Sequence, residues 1–346
     1  MTPKRLSFAG RLNRWYRKNA RDLPWRQTGD PYQIWISEVM LQQTTVKAVI
    51  PYFERWIKIF PTLQCVAACS EQKLLNMWQG LGYYQRARNL HRAAKIISEQ
   101  FDGKMPSDYE TLRRLPGFGP YTTGAVLSIA YDQRVPIIDA NVRRVLMRWM
   151  GQEGKATPTQ DPLILKCLDR IMPGKNLRTF NQALMELGAL VCKNREPVCN
   201  VCPVYQDCQA FAMGTQEVIP AKDKKSCVEL DVAIAVARKN GRYFIQQRPA
   251  KGLLADLWEF PGGKIEAGES ARQALIREVR EELGIEVFQI EPFMKTWHFY
   301  TKYKVRLNVF SCRFAGTPRP QTAHRWISKA GFKNYPMPSG SAKIVD

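Results

Sequence analysis

The chain has 346 residues, 45% of them hydrophobic, enough for two packed cores of ~100 to 200 residues each. Lysine and arginine number 52 against 31 acidic residues, a formal charge of +21, with 30 basic against 17 acidic in residues 1–212 and 22 against 14 in the remainder; an excess repeated in both halves favours a polyanionic partner through counterion release over charge kept only for solubility. Residues 1–10 carry charge but no apolar stretch, and no run reaches the ~20 apolar residues of a membrane span, which excludes a membrane protein and leads us to expect a soluble, cytoplasmic monomer of the bacterial cytosol or nucleoid.

Residues 6–20 alternate apolar and basic positions at helical spacing and end in Arg21-Asp22-Leu23-Pro24-Trp25-Arg26, a loop. Asp30-Pro31-Tyr32 then starts a helix expected to run through Thr44. Glu38 sits in it between Ile36 and Val39. A carboxyl group desolvated there has a raised pKa and can donate a proton near neutral pH, whereas a glutamate on the helix surface has no such property. Between residues 112 and 124 the order Leu-Pro116-Gly117-Phe-Gly119-Pro breaks two helical segments. A glycine-bearing turn that opens a helix points backbone N–H groups outward, which suits a DNA phosphate, though an ordinary helix-turn-helix connection has the same pattern. Twenty residues after Gly119 comes Asp139 in an apolar run, where it or Asn141 can cap a further helix.

Residues 157–191 read as helix broken at Pro173-Gly174, with an apolar stripe after Phe180. Of nine cysteines, Cys65, Cys69, Cys167, Cys227 and Cys312 follow no pattern and are expected to be reduced, buried thiols. The others read Cys192-x6-Cys199-x2-Cys202-x5-Cys208, a crowding that suits metal ligation better than disulfides and fits tetrahedral zinc as well as an iron-sulfur cluster. Residues 213–228 form a polar connector. Beyond it, strands are expected at 229–237, 242–247, 296–300 and 305–314, with His298 a strand residue rather than a ligand, and a helix at 270–283. That helix places Glu278, Glu281 and Glu282 at i, i+3 and i+4. Carboxylates so close repel one another unless a divalent cation or Arg277 and Arg280 neutralise them.

Four stretches in register carry a resemblance: Glu38-Val-Met-Leu-Gln-Gln-Thr, Met77-Trp-Gln-Gly-Leu-Gly-Tyr-Tyr-Gln-Arg-Ala-Arg-Asn-Leu-His, the hairpin at 115–121 and the Asp139 segment. Together they resemble MutY-type adenine DNA glycosylases over about residues 1–212. The resemblance implies a mainly α, two-lobed helix-hairpin-helix glycosylase over 1–212, a linker over 213–228 and an α/β Nudix-fold domain over 229–346. It implies that Glu38 is the acid and base, that Asp139 stabilises the sugar cation, and that Asn141 supports it. Tyr121 faces the reaction centre; Arg21, Trp25, Arg26, Leu41 and Val46 line the adenine pocket, and Gln182 lies near the base or packs in the core. Tyr83 enters the base stack, Gln42 and Gln43 touch the strands, and Gly117 and Gly119 shape the phosphate-binding hairpin; Tyr84 is expected to be a core aromatic instead. The cysteine spacing matches the [4Fe-4S] loop of these enzymes, residues 192–208.

The chemistry agrees. Breaking an N-glycosidic bond passes through an oxocarbenium-like state, so one carboxyl group protonates the leaving purine while a second, ionised, faces the positive sugar. A pure lesion-binding protein has no use for that pair. Related enzymes that also cut the strand place a lysine where this chain has Tyr121, and a phenol forms no Schiff base; the resemblance therefore implies a monofunctional glycosylase acting on duplex DNA with adenine opposite 8-oxoguanine or guanine, rather than a glycosylase and AP lyase. Ala140 departs from the Asp-Gly-Asn associated with the family. The run Gly263-x5-Glu269-x7-Arg277-Glu278-Val279-Arg280-Glu281-Glu282-Leu283-Gly284 resembles a complete Nudix box, as in MutT-type hydrolases of oxidised nucleoside triphosphates, with Gly262, Glu278, Glu281 and Glu282 holding Mg2+. Where the glycosylase family uses Phe-Ser-His on the oxidised guanine, this chain has Tyr300-Thr301-Lys302, and Thr301 keeps a hydroxyl there.

Overall fold

A computed structural model describes residues 7–221, 228–250, 252, 254–300 and 303–345; Cys227, Thr301 and Lys302 lie outside the described residues. Of the unpatterned cysteines, Cys167 and Cys312 are buried, whereas Cys65 is exposed and Cys69 half-buried. In chain order the helices are α1 (Phe8–Asn19), α2 (Pro31–Leu41), α3 (Val46–Ile59), α4 (Leu63–Ala68), α5 (Glu71–Trp78), α6 (Gln85–Gln100), α7 (Tyr109–Arg114), α8 (Pro120–Tyr131), α9 (Ala140–Met150), α10 (Asp161–Ile171), α11 (Leu177–Leu190) and α12 (Gln209–Ala212). A mixed sheet with further helices follows. The chain divides into two compact units, residues 1–68 with 89–224 and residues 69–88 with 225–346. A division read along the sequence keeps residues 69–88 with the first part, whereas in space they join the second.

In the first unit, Asp30 caps α2 by accepting the Tyr32 N–H at 2.9 Å, and Pro31 supplies a first helical residue that needs no acceptor. The helix stops at Leu41, short of the expected Thr44, because Gln43 turns into the left-handed region at φ +57° and reverses the chain toward α3. α8 opens at Gly119, which offers no side-chain cap, with Pro120 as its first residue. Thr122 through Ile129 are all buried, so this helix is enclosed on every side and packs against α2 and α11. Asp139 caps α9 through the Val142 N–H at 2.7 Å, and Gly151 ends it. Leu12, Leu146, Leu168, Phe180, Leu184 and Leu187 share one core. Each such side chain contributes about 2 kcal/mol by burial, so the helices that carry polar groups inward are anchored by their other faces.

In the second unit the strands are β1 (Val228–Lys239), β2 (Arg242–Gln247), β3 (Trp258–Glu259), β4 (Gly262–Lys264), β5 (Glu286–Tyr300), β6 (Tyr303–Ala315) and β7 (His324–Ile327), with α13 (Ala271–Leu283) and α14 (Ser339–Val345). The order is β3-β2-β1-β6-β5, with β4 paired to β1 and β7 to β2; β1 and β6 run parallel. Alternation along β1 sends Ala233, Ala235 and Ala237 toward Ala274, Leu275 and Val279 of α13, and Ile234 and Val236 into the opposite core with Val305, Leu307, Phe332 and Ile344. Ser270 and Gln273 form a reciprocal capping box that starts α13. β5 begins ten residues before the expected Thr296, because its pairing with β6 slips between Phe288 and Glu291 and again between Pro292 and Met294. Each slip flips the side chains that follow and erases the alternation a strand is read from. His298 lies within this strand, its pKa lowered by burial and by Lys343.

Candidate active site

The first unit holds a cavity of about 280 Å³ lined by Arg21, Trp25, Arg26, Glu38, Leu41, Val46, Tyr121, Asp139, Asn141, Gln182, Met185 and Glu186, among others. These residues come from the loop after α1, from α2 and the start of α3, from α8, from the cap of α9 and from α11. Glu38, on the face of α2 turned to α8, is 5% exposed. The Tyr121 hydroxyl donates to its Oε2 at 2.5 Å. Burial pushes the Glu38 pKa up to about 7; the tyrosine hydrogen bond and Arg26 oppose the rise, and the charge of Asp139 adds to it. Burial, the charge of Glu38 and that of Asp139 in turn hold the Tyr121 phenol well above its ordinary value.

Asp139 is supported differently. Burial raises its pKa, but the Val142 N–H donates to Oδ1 at 2.7 Å, the Asn141 amide donates to Oδ2 at 2.9 Å, and Arg144 lies close enough to oppose the rise. The positive end of α9 adds to these. Arg144 is fixed by donating to the Asn141 side-chain Oδ1 at 2.9 Å and to the Gly188 backbone carbonyl at 2.7 Å. The approach of α11 to α9 depends on Gly188, since a Cβ there would lie 2.6 Å from the Asn141 Cβ. Gln182 accepts the Tyr16 hydroxyl at 2.8 Å, so it packs in the core and lines the cavity at once.

Sequence reading missed Glu186, the most heavily bonded group in the cavity. It is 1% exposed and receives both guanidinium groups in paired fashion, Arg21 at 2.9 and 2.6 Å and Arg26 at 3.0 and 2.8 Å. Burial alone would raise its pKa, but these donors outweigh it and take the carboxyl to about 2. The one available signal was an acidic residue inside the apolar stripe after Phe180; nothing in the sequence joins it to arginines more than 150 positions earlier.

The other residues singled out lie elsewhere. Gln42 donates to the Thr122 hydroxyl at 3.2 Å and Gln43 occupies the reversal after α2; neither lines the cavity. Gly117, at φ +81°, makes the turn between α7 and α8 with its Cα face against the Asn89 Cβ. Tyr83, 39% exposed and also left-handed at φ +48°, belongs to the second unit. Tyr84 is buried.

Cys192, Cys199, Cys202 and Cys208 line one small cavity with Arg148 and Trp149. Burial raises the Cys199, Cys202 and Cys208 thiols, Cys202 to about 12, and neighbouring thiolates raise each further. The Arg148 guanidinium donates to Cys192 Sγ at 3.3 Å and to the Lys193 carbonyl at 2.6 Å. Trp149 Nε1 and Gln216 Oε1, both at this cavity, are buried without a hydrogen-bond partner among the described residues. Four clustered thiols, three of them kept protonated by burial, beside an indole N–H with no acceptor among the described residues, fit a cluster that brings positive iron and acceptor sulfide together. Among the described residues no three His, Cys, Asp or Glu side chains converge as tightly as a single metal ion needs; a four-iron cluster spreads its thiolates wider.

That finding also covers the acidic helix. The expected shared face divides: Glu282 turns inward, accepting from Gln246 at 2.8 Å and from the Gly262 N–H at 3.1 Å, and burial lifts its pKa to about 7. Glu278 lies against Gly263, where a Cβ would sit 2.3 Å from its carboxylate. Glu281 faces solvent and pairs with Arg277, which also binds Glu278 at 2.9 Å and Glu269 at 2.8 Å.

Residues 36–167 match the family described as HhH-GPD superfamily base excision DNA repair protein, and residues 232–346 match the NUDIX domain. The adenine DNA glycosylase of Mus musculus is 32% identical over 400 residues, 98% of this chain and 77% of the relative. That of Buchnera aphidicola subsp. Schizaphis graminum is 38% identical over 257 residues, 73% of this chain and 74% of the relative. Among solved structures, a thermostable thymine-DNA glycosylase is 27% identical with a TM-score of 0.55, covering 60% of this chain and 95% of that one. Among the described residues no helix is long and apolar enough to cross a membrane. With a helix-hairpin-helix part, a NUDIX domain and two carboxyl groups facing one cavity, the chain belongs to the adenine DNA glycosylases, base-excision repair enzymes that hydrolyse N-glycosyl bonds.

Proposed function

We propose that the protein releases adenine standing opposite 8-oxoguanine or guanine in duplex DNA, by hydrolysis and without cutting the strand. The observation that carries this reading is a single cavity in which Glu38 keeps its proton up to about pH 7 while Asp139 spends both oxygens accepting hydrogen bonds. Glu38 gives its proton to the leaving purine. Asp139, held by the α9 cap, faces the developing cation, and Glu38, now ionised, takes a proton from the attacking water. Arg21, Trp25, Arg26, Leu41, Val46 and Gln182 form the walls against which the base is held. No lysine is among the cavity's described lining residues, and Tyr121 offers a phenol where strand cleavage needs an amine.

On the DNA side, the N–H groups at Gly119 and the start of α8 meet a phosphate. Gln42, Gln43 and Tyr83 engage the strands, with Tyr83 filling the space an extruded adenine leaves. Thr301 is assigned to the opposite-strand guanine on resemblance alone. Cys192, Cys199, Cys202 and Cys208 hold a [4Fe-4S] cluster, which supplies a cross-link for the loop bearing Lys193 and Arg195; the hydrolysis itself transfers no electron. The test is a duplex with one adenine opposite 8-oxoguanine, incubated under single-turnover conditions and resolved with and without alkali. Strand breaks only after alkali support the reading, breaks without alkali indicate a lyase, and intact strands in both lanes refute base release.

A second activity, Mg2+-dependent hydrolysis of oxidised nucleoside triphosphates, is favoured by one observation: Glu278 and Glu282 both reach the Gly262-Gly263 backbone, with Glu281 beside them. Pyrophosphate release from 8-oxo-dGTP by the full-length protein, lost in Glu282→Gln and in Glu281→Gln, is the expected result. Release that persists in both variants, or none from the unaltered protein, removes this activity.

A further inference from the structure

Residues 69–88 follow α4 directly in the chain, yet they pack within the second unit. Three side chains tie them there. Tyr84, 3% exposed, donates its hydroxyl to the Met337 carbonyl at 2.9 Å. Gln72 on α5 donates to the Asn334 carbonyl at 3.0 Å. Arg88 donates to the Ala255 carbonyl at 2.8 Å, lies 3.4 Å from the Asp256 carboxylate, and pairs with Glu71 at 2.8 Å, closing the segment on itself. Directly before this anchor stands Tyr83, left-handed at φ +48°. Arg86 holds the turn from the other side: its guanidinium bonds the Leu81 and Gly82 carbonyls at 3.1 and 3.2 Å and lies 5.5 Å from the Tyr83 ring. A non-glycine residue keeps that backbone only where its neighbours over-determine it.

We propose that the C-terminal fold is the clamp that presents Tyr83 to the base stack, with Tyr84, Arg88 and Gln72 as its positioning residues. The inference rests on the reading of Tyr83 as the inserted side chain. A side chain that displaces a stacked base must resist the restoring force of the stack, and a loop free to bend gives way instead. Anchoring the segment on the C-terminal fold makes the inserting phenol part of one unit with the sheet that follows residue 225.

The experiment is a double-mutant cycle in the full-length protein. Tyr84→Phe/Arg88→Gln removes two of the clamp's three side-chain ties, leaving that of Gln72, and Tyr83→Ala removes the inserted ring. Single-turnover excision of adenine opposite 8-oxoguanine is measured beside the fluorescence of 2-aminopurine placed next to the target adenine, with melting curves for each variant. The clamp variant is expected to lose about tenfold in rate, within the range that misplacing a positioned group costs, with a matching loss of the fluorescence change. In the Tyr83→Ala background the same substitutions are expected to cost nothing more, which a general structural defect would not reproduce. Should the clamp variant melt early, Gln72→Ala on the exposed face of α5 is expected to show a smaller loss with the same dependence on Tyr83. Losses that multiply in the Tyr83→Ala background, or a clamp variant at the unaltered rate, overturn the clamp alone. Tyr83→Ala at the unaltered rate and fluorescence overturns the reading of Tyr83 and the clamp with it.

Discussion

Two walls of one cavity carry a buried glutamate each, and the two behave in opposite ways. On α2, Glu38 accepts its hydrogen bond from a neutral phenol, and its pKa climbs to about 7. On α11, Glu186 is at least as buried, yet two guanidinium groups drive its pKa to about 2. Burial disfavours the charged form of both, so the charge of the donors decides the sign. The cavity thus holds one acid that can give up a proton at physiological pH and one anion that holds its arginines in place and cannot.

Substitutions on each wall can break that contrast. The largest effect is expected from Glu38→Gln, which keeps shape but has no proton to give: single-turnover excision falls by about 10³-fold or more, with duplex affinity in a gel-shift titration nearly unchanged. Equal loss of affinity would make Glu38 a packing residue. Next, Glu186→Gln leaves Arg21 and Arg26 facing a neutral amide and is expected to cost roughly 3 kcal/mol in denaturant unfolding. Because the Glu186 pKa is depressed, its contribution is complete above the ordinary carboxylate value and is lost as pH falls from there toward about 2; the unaltered protein should therefore lose stability over that interval more steeply than the variant.

The excision rate itself sharpens the comparison. The proton on Glu38 is needed and its pKa is raised, so the single-turnover rate is expected to fall as pH rises through about 7, by about tenfold per unit beyond it. A rate flat from pH 6 to 9 would assign the proton to another group. The smallest change is expected from Tyr121→Phe. Its hydrogen bond favours the ionised form of Glu38, so removing it should move the descending limb of that profile to higher pH; a shift to lower pH would contradict the polarity assigned to this contact.

Much of the site could be read before the fold was seen, because its chemistry sits in short stretches. Glu38 lies in an apolar helix with Asp30-Pro31 at its start, and Asp139 precedes a helix it caps. Glu186 was hidden, since its meaning depends on Arg21 and Arg26 arriving from the far end of the chain. Residues 69–88 were hidden for a related reason: continuity along the chain says nothing about which core a segment joins, and Tyr84 reads as an ordinary core aromatic until its hydroxyl is found on Met337. In the C-terminal fold the capping box and the acidic helix were legible, while the two slips in β5 concealed most of a strand. The pairing of Arg277 with Glu281 was legible as an i, i+4 contact, whereas its reach to Glu269 and the turning of Arg280 to Glu286 depend on the segments either side of α13.

The absent side chain of Gly188 sets a tolerance for the whole cavity. α9 brings Asp139 and α11 brings Glu186, and where they cross, a single hydrogen separates Gly188 from Asn141. Even alanine there would act as a shim, spreading the helices and loosening the Arg144 bond to the Gly188 carbonyl. The arginine-bound wall and the capped carboxylate would drift apart together, although neither had been altered. An engineer seeking to widen the cavity for a larger base would find this position the most direct adjustment, and one that moves the carboxylate facing the sugar along with the wall.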